Sequence, residues 1–442
     1  MKTRRAKSSE RGVAMLLVLV GIAVLALVAN EIRYNSVVEL RLATNQRDEL
    51  RAHYLAKSGI GLSRLMLRFQ KQLDSIQIPN ISGMLQGLTG ALTGQTGQTG
   101  AAGANPLAGG GGSMSIQLWR MAKIDCHMLE QMVPELDEKG QAIAGSIKNK
   151  KFDFDDENPE LAAAQTNRRF GSFSGCFESK LTDEEERINL AKLDAPQGTS
   201  AGLLLQLINT LTDKKYEFLF EKEDSNRVKV TPDELIVNMR DWIDEDETGT
   251  TLNITGTGDP FQKGFSDENG GYVKYDPQYR AKNARFDSLD ELFMVHGVND
   301  RFMAAFKEKF TVYPDVNSRL NINTDDPMLL EVAIRSVADP LRPDPRLADP
   351  IFMDTLIKKI RAARIFALFG MSTADFVNII AASGIPVNAA IQNNVQGNRF
   401  IGDKSMTYRI SVTGSAGDVT RTITAVVRLD DTLGRLVYWR EE

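Results

Sequence analysis

The chain has 442 residues, which suggests two or three domains rather than one core. With 42% hydrophobic, 25% charged and 7% aromatic residues its composition is globular, which excludes wholesale disorder and a multi-span membrane protein. The formal net charge of −5, with no basic stripe in the body of the chain, argues against a nucleic-acid partner, because phosphate affinity comes from clustered Lys and Arg.

At the N-terminus, residues 1–12 hold Lys2, Arg4, Arg5, Lys7 and Arg11 against Glu10, and an uncharged run occupies 13–29. A run of about 17 residues is near the lower limit for spanning a bilayer. The positive charge ahead of it predicts a cytoplasmic N-terminus and an exported body. Three readings compete for this segment: a cleaved signal peptide with Val24-Leu25-Ala26 as its site, a plain signal anchor, and a prepilin-type leader. The residues beyond it argue against the signal peptide. Over 31–73 there is no Pro and the only glycines are Gly59 and Gly61. Leu55, Leu62, Met66, Phe69 and Leu73 recur at helical spacing, so the apolar run is predicted to continue as an amphipathic helix. Unbroken over 13–73, that rod is on the order of 90 Å long.

A basic leader ending in Gly, then an apolar and an amphipathic half-helix, is similar to the layout of type IV pilins and pseudopilins. Gly12-Val13-Ala14-Met15-Leu16-Leu17 resembles their prepilin-peptidase junction, which implies cleavage between Gly12 and Val13 and N-methylation at Val13. The fifth mature position, usually Glu in that family, is Leu17 here. That Glu is understood to meet the N-terminal amine of a neighbouring subunit, which Leu cannot do. Among pseudopilins, the K type of type II secretion systems (general secretion pathway protein K) is the one that typically lacks it.

Residues 76–114 pass Pro79 into a Gly/Thr/Gln/Ala-rich tract ending at Gly109-Gly110-Gly111-Gly112, a composition that buries no core and predicts a flexible loop. Strands are predicted at 115–119 and 173–179, and the acidic run 153–157 reads as a solvated loop. Cys126 and Cys176 allow one disulfide if the body lies in an oxidising periplasm; two small buried hydrophobes is the other reading. The scattered His53, His127 and His296 give no zinc spacing. Asp183-Glu184-Glu185-Glu186-Arg187-Ile188-Asn189-Leu190 resembles the K-type segment in which a strand ends in Arg-hydrophobe-Asn-Leu.

Residues 203–310 read as mainly helical. Leu203, Leu204, Leu207, Ile208 and Leu211 mark one face, and Thr231-Pro232-Asp233-Glu234 is a helix start that carries Leu235, Ile236, Met239 and Trp242. Asp241-Trp242-Ile243-Asp244-Glu245-Asp246 closes that helix and resembles the Asp-Trp-hydrophobe-Asp-x-Asp run of K-type pseudopilins, whose large helical insertion binds calcium. A Gly-rich loop is expected over 249–271. Asp241, Asp244, Asp246, Asp259, Asp267 and Glu268 together suit a hard cation that takes six to eight oxygens, in a pattern that is not an EF-hand. Without the resemblance, acids at a helix end read as solvated.

The resemblance continues through Tyr275-Asp276-Pro277-Gln278-Tyr279-Arg280-Ala281-Lys282-Asn283, Ser288-Leu289-Asp290-Glu291-Leu292, Val295-His296-Gly297-Val298 and Leu320-Asn321-Ile322-Asn323-Thr324. These imply helix-hairpin-helix elements used for packing; the Gly-hydrophobe-Gly hairpin that presents amides to DNA is missing after Ile334. Asp325-Asp326 reads as the cap of a helix over 327–334. Residues 340–350 read as a linker or surface loop. A helix is predicted over 351–369, ending at Gly370, with Lys358, Lys359, Arg361 and Arg364 on a solvated face. Met406, Tyr408, Ile410 and Val412, then Val419, Ile423, Ala425, Val427 and Leu429, alternate about a turn at 414–417 and predict a hairpin with one buried face. A last strand over 436–439 resembles the family's Trp-Arg ending.

No nucleophile motif or phosphate loop appears, so no enzyme is expected. The expected fold is α+β and type IV pilin-like: a long N-terminal helix, transmembrane then amphipathic, packed on an antiparallel sheet with a large inserted α-helical domain. The expected divisions are leader 1–12, membrane half-helix 13–30, amphipathic half 31–75, loop 76–114, first part of the head 115–200, helical insertion 201–385 and C-terminal strands 386–442. The resemblance implies a minor pseudopilin at the tip of the pseudopilus. It would help start the fibre with the I-type and J-type minor pseudopilins, alongside the other pseudopilins, the inner-membrane assembly platform and the prepilin peptidase. Its location would be the bacterial inner membrane, single-pass, with a periplasmic body and calcium as its one cofactor. A minor pilin of a type IV pilus and a signal-anchored periplasmic binding module are the other readings.

Overall fold

The computed structural model describes residues 9–75, 115–121, 124–126, 169–170, 173–224, 227–253, 259–364, 369–395, 397–430 and 434–442. The expected loop 76–114 and the acidic run 153–157 lie outside the described residues.

Helix α1 (Ser9–Ser75) is unbroken, about 100 Å long at 1.5 Å per residue. Residues 15–43 are exposed, and this is the one helix among the described residues long and apolar enough to cross a bilayer. Its second half packs on a sheet. The buried stripe is Ala52, Leu55, Ala56, Gly59, Ile60, Ser63, Leu67 and Gln70. The expected stripe is displaced from this one: Leu55 is buried, Leu62 and Met66 flank the core, and Phe69 is exposed. Small residues explain the displacement. A Cβ on Gly59 would come within 2.6 Å of Phe177 and Val412, so the helix backbone rides on the sheet where Ala and Gly stand, and the larger side chains straddle it.

Strands β1 (Ile124–Asp125), β2 (Cys176–Asp183), β5 (Thr407–Ala416), β6 (Val419–Arg428) and β7 (Arg435–Glu441) form one antiparallel sheet in the order β7-β6-β5-β2-β1. Between β2 and β5 in sequence, β3 (Thr248–Leu252) and β4 (Phe261–Asp267) pair as a separate hairpin. Cys126 and Cys176 are disulfide-bonded, with Cα atoms 5.4 Å apart, and join β1 to β2.

Several expected boundaries move. At 115–119 only Ser115–Ile116 is extended; the chain then makes a helical turn, Leu118–Met121, because Leu118 N donates to Gln70 Oε1 at 2.7 Å and Trp119 packs edge-on to Tyr408. The strand expected at 173–179 is broken at Gly175, whose φ of +137° an L residue avoids, and resumes as β2. The C-terminal hairpin turns at Gly417-Asp418, not 414–417. Gly417 takes φ +58° there, while Gly414 lies within β5, where a Cβ would collide with the Ala52 carbonyl and the Ala56 amide of α1.

Helices α2 (Gln197–Leu211), α3 (Pro232–Asp241), α4 (Asp300–Phe306), α5 (Pro327–Val337), α6 (Pro350–Ala363), α7 (Thr373–Ala382) and α8 (Ala389–Asn393) surround a second core. That core takes in Ile188, Leu190 and Leu193 ahead of the expected insertion, and Val387, Ile391 and Ile401 beyond it. Asp326 caps α5 by accepting from Met328 N at 2.9 Å. The helix expected over 351–369 stops at Ala363, because Arg364 turns back to donate to the carbonyls of Ile322 (2.7 Å) and Thr324 (2.9 Å). In the stretch expected to be helix-hairpin-helix, 289–294 is a 3₁₀ turn, and Gly297, at φ +91°, leads into α4. The sheet hairpin is buried on both faces at one end, where Val426, Val437 and Tyr438 meet the helical core.

The two halves join at a buried polar seam. Glu184, with no exposure, accepts from Arg409 Nε (2.6 Å), Arg187 Nη1 (3.2 Å) and the Thr311 hydroxyl. Asp183 accepts from Asn321 Nδ2 (2.9 Å) and Ser405 Oγ (2.5 Å), and Glu185 from Met406 N and Thr407 Oγ1, both at 3.0 Å. Burial pushes Asp183 up to about 6. Burial and then repulsion from Asp183 push Glu185 and Glu186 up to about 8, and burial lowers Lys192 to about 8.

In the full chain in detergent, Gly414→Val is expected to lower stability by about 1–3 kcal/mol through overpacking, read as a fall in Tm; an unchanged Tm would mean α1 is not seated on β5. Because Glu185 and Glu186 hold protons when folded that they release when unfolded, the stability they carry is complete below about pH 4.5 and is lost as pH rises through about 8. Tm is therefore expected to fall between pH 5.5 and 8, with a shallower fall in Glu185→Gln.

Candidate metal centre

The expected acids sit around the end of α3. Thr231 opens that helix with a capping box, accepting from Glu234 N while the Glu234 carboxylate accepts from Thr231 N, and Pro232 occupies the first turn. Leu235, Ile236, Met239 and Trp242 face the core, which fixes Asp241 at the last turn. Asp244 N still donates to Arg240 O at 3.1 Å, so Asp244 continues on the same side. Within the segment expected as a Gly-rich loop, the described residues form strands β3 and β4, which pair, and a 3₁₀ turn, Glu268–Lys274. Thr250 N in β3 donates to Asp241 Oδ1 at 2.9 Å. Tyr272, 5.8 Å from Trp242 and 5.2 Å from Tyr279 between ring centres, seats the turn so that Glu268 points inward.

Asp241, Asp244 and Glu268 are 5%, 7% and 8% exposed, and one oxygen from each lies within 4.8 Å of the others. Asp244 Oδ1 is buried with no hydrogen-bond partner, and both Glu268 oxygens are buried without a well-formed hydrogen bond, the Asn283 side-chain amide beside Glu268 lowering its pKa only in part. Burial, joined by repulsion among the acids, pushes Asp244 up to about 6, Glu268 up to about 7 and Asp241 upward. Arg240 stands 3.6 Å from Asp244 Oδ2, but it also holds Leu193 O (2.8 Å) and Asp194 (3.0 Å). A buried carboxylate with neither donor nor counter-ion costs several kcal/mol, so this trio holds either protons or a cation. Its donors are all oxygen and mostly anionic, which fits a hard ion such as Ca2+ and not a metal that prefers imidazole or thiolate.

The other three acids are turned elsewhere. Asp246 accepts from Thr248 N (2.8 Å) and pairs with Lys263 (3.3 Å); Asp259 accepts from Phe261 N (3.1 Å); Asp267 caps the 3₁₀ turn at Asn269 N (2.9 Å). Each carboxylate closes a turn two residues ahead of itself, the local use that Asp favours outside helices. Thr250 and Asn283 were not expected at the site. Thr250 enters by strand pairing, and no local pattern in the sequence marks either. Gly12 and Val13 lie in the first turns of α1, and Leu17 is 67% exposed on the same helix.

No family model matches the chain, and no curated protein matches it. Among solved structures it is similar to a chain in the crystal structure of the GspK-GspI-GspJ complex from the enterotoxigenic Escherichia coli type 2 secretion system. Identity is 15% and the TM-score 0.42, over 62% of this chain and 83% of that one.

Cation binding must displace the protons held by Asp244 and Glu268, so affinity falls as pH drops through about 7 and then about 6. Calcium titrations of the full chain at pH 8 and pH 5 are expected to differ by well over tenfold, about ten for each proton displaced per pH unit. Equal affinities would remove these two carboxylates from the ligand set.

Proposed function

We propose that this chain is a minor pseudopilin of a type II protein secretion system. It stands at the pseudopilus tip and helps initiate assembly with the I-type and J-type minor pseudopilins. One observation carries the reading: α1 is a single helix whose first half is apolar and bare while its second half is fastened to an antiparallel sheet. Among the described residues, the bare half has nothing of its own chain to bury against. It dissolves in lipid while the subunit waits in the inner membrane, and packs against the helices of other pseudopilins once the assembly platform extracts it.

The prepilin peptidase cuts between Gly12 and Val13, and Val13 is methylated. At Leu17 there is no acid to neutralise the amine of a neighbouring subunit, and the helical region between β2 and β5 adds bulk to the head. Both features suit a subunit with none above it. The disulfide between Cys126 and Cys176 fits a body in an oxidising periplasm. Asp241, Asp244 and Glu268 hold a structural Ca2+ that ties the end of α3 to the turn after β4.

Intact mass of the protein purified from membranes is expected to match a chain that begins at methylated Val13; an intact Met1, or cleavage after Ala26, would overturn the pilin-type reading. The chain is also expected to co-purify with I-type and J-type partners, and the absence of any complex with or without a calcium chelator would overturn the tip assignment. Deleting the gene should abolish secretion and leave twitching intact, whereas the reverse pattern would point to a type IV pilus.

A further inference from the structure

A cleft of about 130 Å³ opens where the end of β6 meets the helical region. Its floor is apolar, made by Ile243, Phe286, Val312 and Pro314, all buried. The wall beside it is fixed by a side chain from below. Asn189, 4% exposed, donates through Nδ2 to the carbonyls of Pro314 (3.3 Å) and Asp315 (2.9 Å) and to Ser318 Oγ (3.1 Å). The cleft is therefore shaped by the fold before anything enters it.

Three charged residues line the cleft, Arg285 and Arg428 against Asp315, so its net charge is positive. Neither guanidinium is used up. Arg428 Nε donates to Asp430 at 2.8 Å, but its Nη1 stands 3.8 Å from Asp315, beyond hydrogen-bond range. Arg285, its side chain 67% exposed, has Asp194 3.7 Å from Nε and makes no side-chain hydrogen bond among the described residues; Arg240 takes that same acid at 3.0 Å. Asp315 spends its Oδ1 on Asn317, accepting from N at 2.9 Å and from Nδ2 at 3.1 Å. Two guanidinium groups with spare N–H donors at one small cleft favour a carboxylate, whose geometry matches theirs.

Size decides what carries that carboxylate. Sites for free small molecules run to about 300–1,000 Å³, whereas this cleft, at about 130 Å³, admits little more than one short side chain. We propose that it docks an acidic side chain, Glu or Asp, of a partner protein, with the carboxylate between Arg285 and Arg428 and the methylenes on Phe286 and Val312. An Arg at an apolar pocket is the kind of anchor that carries most of the energy at protein interfaces. Neither the cation nor the membrane half of α1 takes part.

The test is saturation-transfer difference NMR on the full chain in detergent, with acetyl-Ala-Glu-Ala-amide as the probe. Acetyl-Ala-Gln-Ala-amide, the same shape without the charge, and sodium butyrate, a free acid, are the controls. In wild type the Glu peptide is expected to bind with a Kd on the order of 1 mM, showing transfer to its Glu methylenes, while the Gln peptide binds about tenfold more weakly and butyrate also binds more weakly. Arg428→Gln is expected to weaken the Glu peptide about tenfold. Arg285→Gln probes the same cleft from an exposed position that the fold does not depend on, and is expected to weaken it about 2- to 5-fold. The site is overturned if wild type shows no transfer to the Glu peptide, if the Glu and Gln peptides bind alike, or if the double variant binds like wild type. Butyrate binding more tightly than the Glu peptide would overturn the partner class and leave a site for free carboxylic acids.

Discussion

Glu184 has no contact with solvent, and its two carboxylate oxygens are shared among Arg409 in the middle of the sheet, Arg187 just past β2, and Thr311, whose short strand Phe310–Thr311 pairs with Ile188–Asn189. A buried carboxylate must be met by donors or it costs more than the fold can spare. Those donors come from three parts of the chain about a hundred residues or more apart, so meeting Glu184 requires sheet and helical region to assemble in one relative placement. Asp183 and Glu185 repeat the constraint on either side, with Asn321, Ser405, Met406 and Thr407 as their partners. The same run passes directly into Ile188 and Leu190 of the helical core. Here the chain leaves the sheet, and the polar seam decides the direction in which it leaves.

The opposite face of the sheet obeys a different rule. Contact between α1 and β5 depends on the absence of side chains: Gly59 over Phe177 and Val412, and Gly414 beneath Ala52 and Ala56. Close approach lets Ser63 reach Ser179 at 2.6 Å across the interface. Dispersion falls steeply with distance, so a helix seated this closely gains contacts that bulkier residues would forfeit. The apolar half of α1 is thereby coupled rigidly to the sheet through the seated half. Trp119 and Tyr408 cover the far end of this seat.

Much of this was legible in the sequence, for identifiable reasons. Thr231-Pro232-Asp233-Glu234 and Asp326-Pro327 carry their capping chemistry within four residues, and the alternation through Tyr408, Ile410 and Val412 states its own period, so α3, α5 and β5 were readable locally. The seat of α1 was not, because a hydrophobic pattern weights Leu, Met and Phe, whereas the contact runs through Ala, Gly and Ser. Nor could the sequence sort its acids. Asp246, Asp259 and Asp267 look like Asp241 and Asp244 in one dimension; only the hairpin's fold turns the first three onto their own backbone and leaves the others facing Glu268. The run 183–186 likewise reads as surface charge until its partners, far off in sequence, are known.

The cation site and the polar seam solve the same problem by opposite means. At the seam, the buried Glu184 is met by Arg187 and Arg409, so its charge is balanced by covalently tethered groups, while Glu185 and Glu186 hold protons. At the end of α3, Arg240 is divided between Asp194 and Asp244, and Asp244 Oδ1 has no hydrogen-bond partner. Balance there comes from solution: protons neutralise these acids at low pH, and the proposed cation would do so at high pH. On the proposed reading, the segment from α3 through the β3–β4 hairpin to Glu268 is closed by a removable ion, while α1, the sheet and the seam are closed by fixed groups. Loss of such an ion would loosen this flank of the helical region and leave α1 and its seat intact, so it would govern the surface of the helical region and not whether the fold assembles.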